Sequence, residues 1–379
     1  MTVRARILAI LDGQSPDRIP WIPRLLIWHR AHENRGSLPE RFRGLTLQQV
    51  EKSLKMGTPA RDGHVFATAQ EGDVEVSSQQ EDASTITTYK TPVGSVCTRF
   101  QSSDDLESAG IQSLEVEHMI KGEKDFAVVE YLITHTSYTP TYEAYLDYEA
   151  GIGEDGFPLV STGDCPIHHF LQKLSGYQAG FYHLYDYPKE VEHLLRTMEE
   201  IDRDRVWPLV AQSPARLILH GVHFDSEITP PPLFSKYITP YYRDFSDLLH
   251  KEGKTLSMHA ENDSRLILNR IKDAGFDMAE TFTTDPMVSC TLKEARKTWD
   301  NGVIIWGGVP SVILEDIYPD SFFEAYMKNV FRTIAPGDAF ILGVADNIMP
   351  NARLDRLERI AEMVEAWGHY PIDPANIPN

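Results

Sequence analysis

Cysteine, positive charge and long apolar runs are all scarce in this chain, and each shortage removes a class of protein. Three cysteines, Cys97, Cys165 and Cys290, stand far apart with no CxxC pair. Neither a disulfide framework nor a thiolate zinc site is supported, and a reducing cytoplasm is the expected compartment. Lys and Arg total 36 against 56 Asp and Glu, a formal charge of −20. Nucleic acid and anionic membrane both rely on basic patches to replace counterions, so neither is an expected partner. No stretch approaches the roughly 18 apolar residues needed to span a bilayer. The start, MTVRARILAILDG, has its apolar run stopped early by Asp12 and Gly13, which predicts an amphipathic first helix and not an export signal. No GxxxxGK[ST] occurs, and the GIGEDG match at Gly151 to Gly156 leads into strand-like FPLV instead of a helix. It lacks the context of a dinucleotide site and is read as a turn.

What remains is an ordinary globular composition, 42% hydrophobic and 24% charged over 379 residues, a length that one α/β barrel with insertions can use. From Lys121 onward short apolar runs alternate with helical patterns. FPLVSTG, RLILHGVHF, TLSMHAE, FDMAETF, VIIWGGVP and AFILGVAD read as strands, and segments such as TLKEARKTWDNG and LDRLERIAEMVEAWG as helices. Alternation of this kind predicts a parallel sheet covered by helices. Eight such units closing on themselves make a (β/α)8 TIM barrel, and six clear strands and two weaker ones are found, the first ending near Trp28 in PWIPRLLIW. Residues 36–113 read as an irregular, strand-rich insertion within a single domain spanning 1–379. The helix through KYITPYYRDF is expected to break or kink at Pro240.

The most informative segment is LSMHAEND. His259 and Glu261 sit two apart at a strand end, and alternate strand residues point the same way, so both can reach one metal ion. Glu280 in MAETF and Asp346 in ILGVADNIMP end further apolar runs, the place where barrels assemble their chemistry. These four form the candidate metal site. His223 and Asp225 follow the preceding strand, where substrate contact and a structural turn are both open readings, and His220 is expected to be buried and hydrogen bonded. His168 and His169 are placed at the rim as substrate-binding candidates. Trp28 and Trp306 are read either as an aromatic wall for a substrate ring or as core packing. Asn262 and Asn347 neighbour the presumed ligands and suit hydrogen bonding to them.

Several segments, in this order, resemble the uroporphyrinogen decarboxylase superfamily: RARILAILDGQSPDRIPW, TPVGSV, GKTLSMHAEND followed by IKDAGFDMAE, WGGVPSVIL, and ILGVADNIMPNARLDRLERIAEMVEA. That superfamily also holds metal-dependent corrinoid methyltransferases, whose His-x-Cys after the fifth strand and further Cys after the eighth bind zinc. Here His259 keeps the histidine, while Glu261 and Asp346 stand where the cysteines would be. Carboxylates donate less charge than thiolates and leave a divalent ion a harder Lewis acid, suited to an ether oxygen. The resemblance therefore implies Zn2+ and the methyltransferase component of a corrinoid-dependent O-demethylase. Its methyl donor would be a methoxylated aromatic, and its acceptor the cobalt(I) of a corrinoid (cobalamin) carried by a partner protein. Zinc with His259, Glu261 and Asp346 is formally neutral, so Glu280 is expected as a replaceable fourth ligand or as the acid that protonates the departing oxygen.

Three rivals stand beside this. A metal-free porphyrinogen decarboxylase grips substrate carboxylates with arginines, but PWIPRLLIW offers only Arg24 and Arg30 and the Arg-Gln-Ala-Gly-Arg type segment is absent. A metal-dependent hydrolase on the same barrel would carry His-x-His after the first strand, which is missing. A binding scaffold without turnover is the third.

Overall fold

The computed structural model describes residues 1–378. Helix α1 (Val3–Leu11) starts on the Thr2 side chain, which accepts from Ala5 N. An extended segment follows, in which Ile22 N donates to Leu342 O at 2.8 Å and Pro20 O accepts from Leu342 N at 3.0 Å. Pro20 and Pro23 cannot donate to a ladder, and the chain turns into helix α2 (Leu26–Asn34), which buries Trp28, His29 and Ala31 at helical spacing. The expected first strand therefore stops before Trp28. After helix α3 (Leu47–Ser53) a second extended segment runs through residues 57–60. Gly57 N donates to Trp21 O at 2.8 Å, and Ala60 O accepts from Leu159 N at 2.8 Å.

The strand-rich elaboration comes next, with β1 (Phe66–Gln70), β2 (Glu75–Glu81), β3 (Ser84–Thr91), β4 (Gly94–Gln101), β5 (Leu114–Glu117) and β6 (Thr136–Pro140). Strands β2 to β5 form an antiparallel meander in sequence order, and β1 pairs with β6. Because β5 and β6 pair back onto β4 and β1, the elaboration runs on past residue 113 to Pro140.

The remaining strands, β7 (Leu159–Ser161), β8 (Leu217–Val222), β9 (Thr255–His259), β10 (Met278–Phe282), β11 (Ile304–Val309) and β12 (Phe340–Val344), make one parallel six-stranded sheet with neighbours in sequence order. Strands β9 to β12 are buried at every position, as a sheet covered by helices requires. From its strands, Leu159, Leu219, Met278, Ile304, Trp306 and Ile341 form one buried cluster with Ile22 and with Ile7 and Ile10 of α1. The covering helices include Leu292–Trp299, started by a Thr291/Glu294 capping box, and Leu354–Trp367. The irregularity expected at Pro240 is there: the helical run that begins at Pro231 passes through a π turn, Phe234–Ile238, directly ahead of it and continues as the α-helix Thr239–Lys251. Among the described residues no helix is long and apolar enough to cross a membrane.

Candidate metal centre

Strand β9 ends on His259, and Glu280 stands directly beside it in the β9–β10 register. The ring of His259 is gripped on both sides. Its Nδ1 lies 2.7 Å from Glu280 Oε2 and 2.8 Å from Thr281 Oγ1, while Nε2 lies 2.8 Å from Glu261 Oε2 and 3.8 Å from Asp346 Oδ1. One donor atom each from His259, Glu261 and Asp346 falls within 4.8 Å of the others, a separation that one bound ion can bridge. Nitrogen and carboxylate oxygen donors are those that zinc and similar divalent ions accept.

The surrounding fold holds strained backbone at the site. His223, Thr281 and Asp346 all have left-handed φ, at 59°, 52° and 52°, which costs a non-glycine residue about 1–3 kcal/mol and gathers at functional sites. The pairing of β10 with β11 shifts register between Glu280 and Phe282, around Thr281. The pairing of β8 with β9 shifts between Leu219 and Val222, just ahead of His223. Irregularities of this sort re-aim side chains at the end of a ladder.

Charge around the ring is dense and paired. Arg24 Nη1 donates to Asp346 Oδ1 at 2.8 Å, where Asn347 Nδ2 also donates at 2.9 Å, and Arg61 donates through Nη1 to Glu280 Oε1. Burial raises the Glu280 carboxyl, but Arg61 and His259 outweigh it and hold the group at about 2. Burial likewise opposes ionisation of Glu261, yet His223 and His259 draw it well below the ordinary carboxylate range. Burial lowers the His259 imidazole, and the flanking Glu280 and Glu261 more than compensate, raising it. Asp346 is raised by burial, with Arg24 opposing and Glu261 adding to the rise.

Glu280 therefore differs from expectation. It lies outside the three-donor group, on the opposite ring nitrogen, and a carboxylate ionised against Arg61 has no proton to give. His223 does join the site, with Nδ1 against Glu261 Oε1 and its ring 5.8 Å from that of His259. Asp225 resolves as a turn former: Oδ1 accepts from Glu227 N and Ile228 N, and Oδ2 from Asp263 N, tying two loops together. His220 is buried between Thr162 Oγ1 and the Tyr241 hydroxyl, and burial lowers it to about 4.

Of the rim candidates, His168 is fully buried, paired with Asp164 at 3.5 Å and packed on Phe224, and His169 follows it, half-buried, in the same short helix. Trp28 packs on His32 and donates to Ala352 O. Trp306 is buried and donates to Ile22 O at 2.9 Å. Asn347 bonds a presumed ligand as expected, whereas Asn262 makes no side-chain hydrogen bond among the described residues. Sequence reasoning missed Arg61, and treated Arg24 only as too weak a sign of a decarboxylase. For Arg24 a signal existed: it directly follows the first extended segment, at the same end of the sheet as His259.

Residues 154–367 match the family Uroporphyrinogen decarboxylase (URO-D), and the chain belongs to it. Its fold is also similar to that of a methyltransferase from Methanosarcina mazei, with a TM-score of 0.57 and 13% identity over 96% of this chain and 98% of that one. No curated protein matches the chain in sequence.

Proposed function

We propose that this protein is a metal-dependent methyltransferase that moves a methyl group from an O-methyl substrate, a methoxylated aromatic, to the cobalt(I) of a corrinoid carried by a partner protein. The observation that carries the reading is the convergence of His259, Glu261 and Asp346 donor atoms within 4.8 Å. Family membership and the fold likeness to a methyltransferase support it. The extended segments at 19–22 and 57–60, each hydrogen bonded to its neighbours, are taken as the first two strands of a closed (β/α)8 barrel, with the chain forming one elaborated domain.

A divalent ion such as zinc, when bound, supplies Lewis acidity at the ether oxygen. The protein's own groups prepare that place. Glu280 fixes the orientation of His259 by holding Nδ1, which leaves Nε2 toward Glu261 and Asp346. Arg61 balances Glu280, and Arg24 with Asn347 holds the Asp346 carboxylate in place. Glu261, Glu280 and Asp346 outnumber Arg24 and Arg61 by one charge, so the site attracts a cation yet leaves a divalent one incompletely neutralised. That residual positive charge favours an oxygen on which negative charge develops.

Elemental analysis of the purified protein, followed by a spectroscopic assay of cobalt(I) methylation with methoxyaromatic donors and a corrinoid protein, tests the reading. The expected result is a bound divalent ion and methylation that stops in chelator. Decarboxylase chemistry is the competing reading, favoured by the two arginines at the site; turnover of a porphyrinogen undiminished in chelator would establish it instead.

A further inference from the structure

A cavity of about 390 Å³ lies next to the candidate centre, between residues 58–62, helix α3 and the helix Tyr142–Ile152. Leu25, Leu26, Leu47 and Ile152 give it apolar walls. Arg24 and Arg61 also line it, and these are the two residues that touch Asp346 and Glu280, so the guanidinium pair is a wall shared by cavity and centre. Each arginine bonds its carboxylate through Nη1 alone. A guanidinium carries five N–H donors, and most of them are unspent. Both side chains are only about one-fifth exposed, at 21% and 20%, and donors shielded from water bind an anion more strongly than exposed ones.

The other acids on the cavity do not oppose an anion. Glu51 lies beneath the Thr58 hydroxyl, and burial pushes its carboxyl up to about 8, leaving it uncharged at neutral pH. Asp62 is exposed to solvent, where its charge is screened. Apolar walls ending on two cations fit an oxyanion attached to a compact apolar body.

We propose that this cavity houses the aryl group of the leaving alcohol, whose oxygen takes N–H donors from Arg24 and Arg61 as it departs. The proposal rests on the methyl-transfer reading. In that reaction the methyl C–O bond breaks with its electron pair left on oxygen, and the acceptor supplies the pair for the new bond to methyl. The product is an aryl oxide, and the arginine wall is placed to receive it.

4-Nitrophenol is the probe, titrated into the whole protein below the probe's own pKa, once with zinc and once with chelator. Binding against the arginines should raise the nitrophenolate absorption band, more weakly in chelator but still saturably. Leu47→Trp and Ile152→Trp, each at a half-buried position, should weaken binding by about tenfold or more with metal content unchanged. Arg61→Gln should reduce the nitrophenolate band of the bound probe. No binding with or without zinc, or equal binding by parent and both Trp variants, overturns the cavity assignment. A parent that holds no metal but binds the probe in the cavity overturns the methyl-transfer reading alone.

Discussion

Glu280 Oε2 sits 2.7 Å from Nδ1 of His259, the ring nitrogen turned away from Glu261 and Asp346. The carboxylate thereby sets which nitrogen is left for an ion, and Arg61 keeps it charged. Glu280→Gln preserves the shape and removes that charge. Groups in this position contribute about 10–100-fold to metal affinity, so the variant should bind zinc weaker by that factor while still filling at saturating zinc. Competition against a chromophoric chelator measures it. Parent affinity in the variant would show that Glu280 does not orient the ring.

His259→Ala should abolish both bound metal and methyl transfer, and Glu261→Ala and Asp346→Ala should each leave the dialysed protein depleted of metal. Asp225→Ala provides the contrast. Its carboxylate organises loops through three backbone N–H groups, so the variant should keep its metal and lose about 1–3 kcal/mol of stability. Elemental analysis and urea unfolding separate the cases. Full metal retention in all three ligand variants would mean the ion, if any, binds elsewhere.

The six regular strands were legible because each is a short apolar run between helical patterns, and such runs have few other uses in a domain this size. The extended segments at 19–22 and 57–60 were faint for a physical reason: prolines at positions 20, 23 and 59 lie in or beside them, leaving isolated bridges instead of ladders. His259, Glu261 and Asp346 were visible as polar residues where apolar strands end. The same signal leaves His168 and Asp225 ambiguous, since a polar group at a strand end looks alike whether it faces a ligand or bonds its own loop. Arg61 carried no local sign at all. It meets Glu280 across 219 positions of sequence, and only the folded sheet brings them together.

Glu51 gives the protein a pH-dependent stability separate from the metal centre. Its carboxyl is raised from 4.5 to about 8, first by burial and with Thr58 opposing. A folded pKa above the unfolded one means that the stabilisation is fully present below about pH 4.5 and is lost as pH rises toward 8, because the unfolded chain releases the proton first. The loss across that window should be a few kcal/mol. Glu51→Gln cannot ionise and should unfold with a flatter dependence on pH. Denaturant titrations of both proteins at pH 5 and pH 8 test this, and parallel curves would show that Glu51 is already ionised in the fold.

Trp306 separates packing from substrate contact. Its indole N–H donates to Ile22 O at 2.9 Å within a buried cluster, joining β11 to the first extended segment. Trp306→Phe leaves that buried carbonyl without its donor and opens space in the core, a combined cost of about 2–4 kcal/mol. A residue that cradles the substrate ring would instead change KM with stability intact. The geometry also predicts a coupling: a Cβ on Gly343 would lie 2.9 Å from Trp306 Cδ1 and 3.1 Å from Nε1, so Gly343→Ala should destabilise by forcing the indole aside. In the Trp306→Phe background the Nε1 contact is gone and the lighter ring can shift, while Ile22 O stays 3.2 Å from the added Cβ, so the second substitution should cost less than it does alone but still destabilise. Thermal unfolding of the two single variants and the double variant closes the cycle. Strict additivity would show that the indole does not occupy the place beside Gly343.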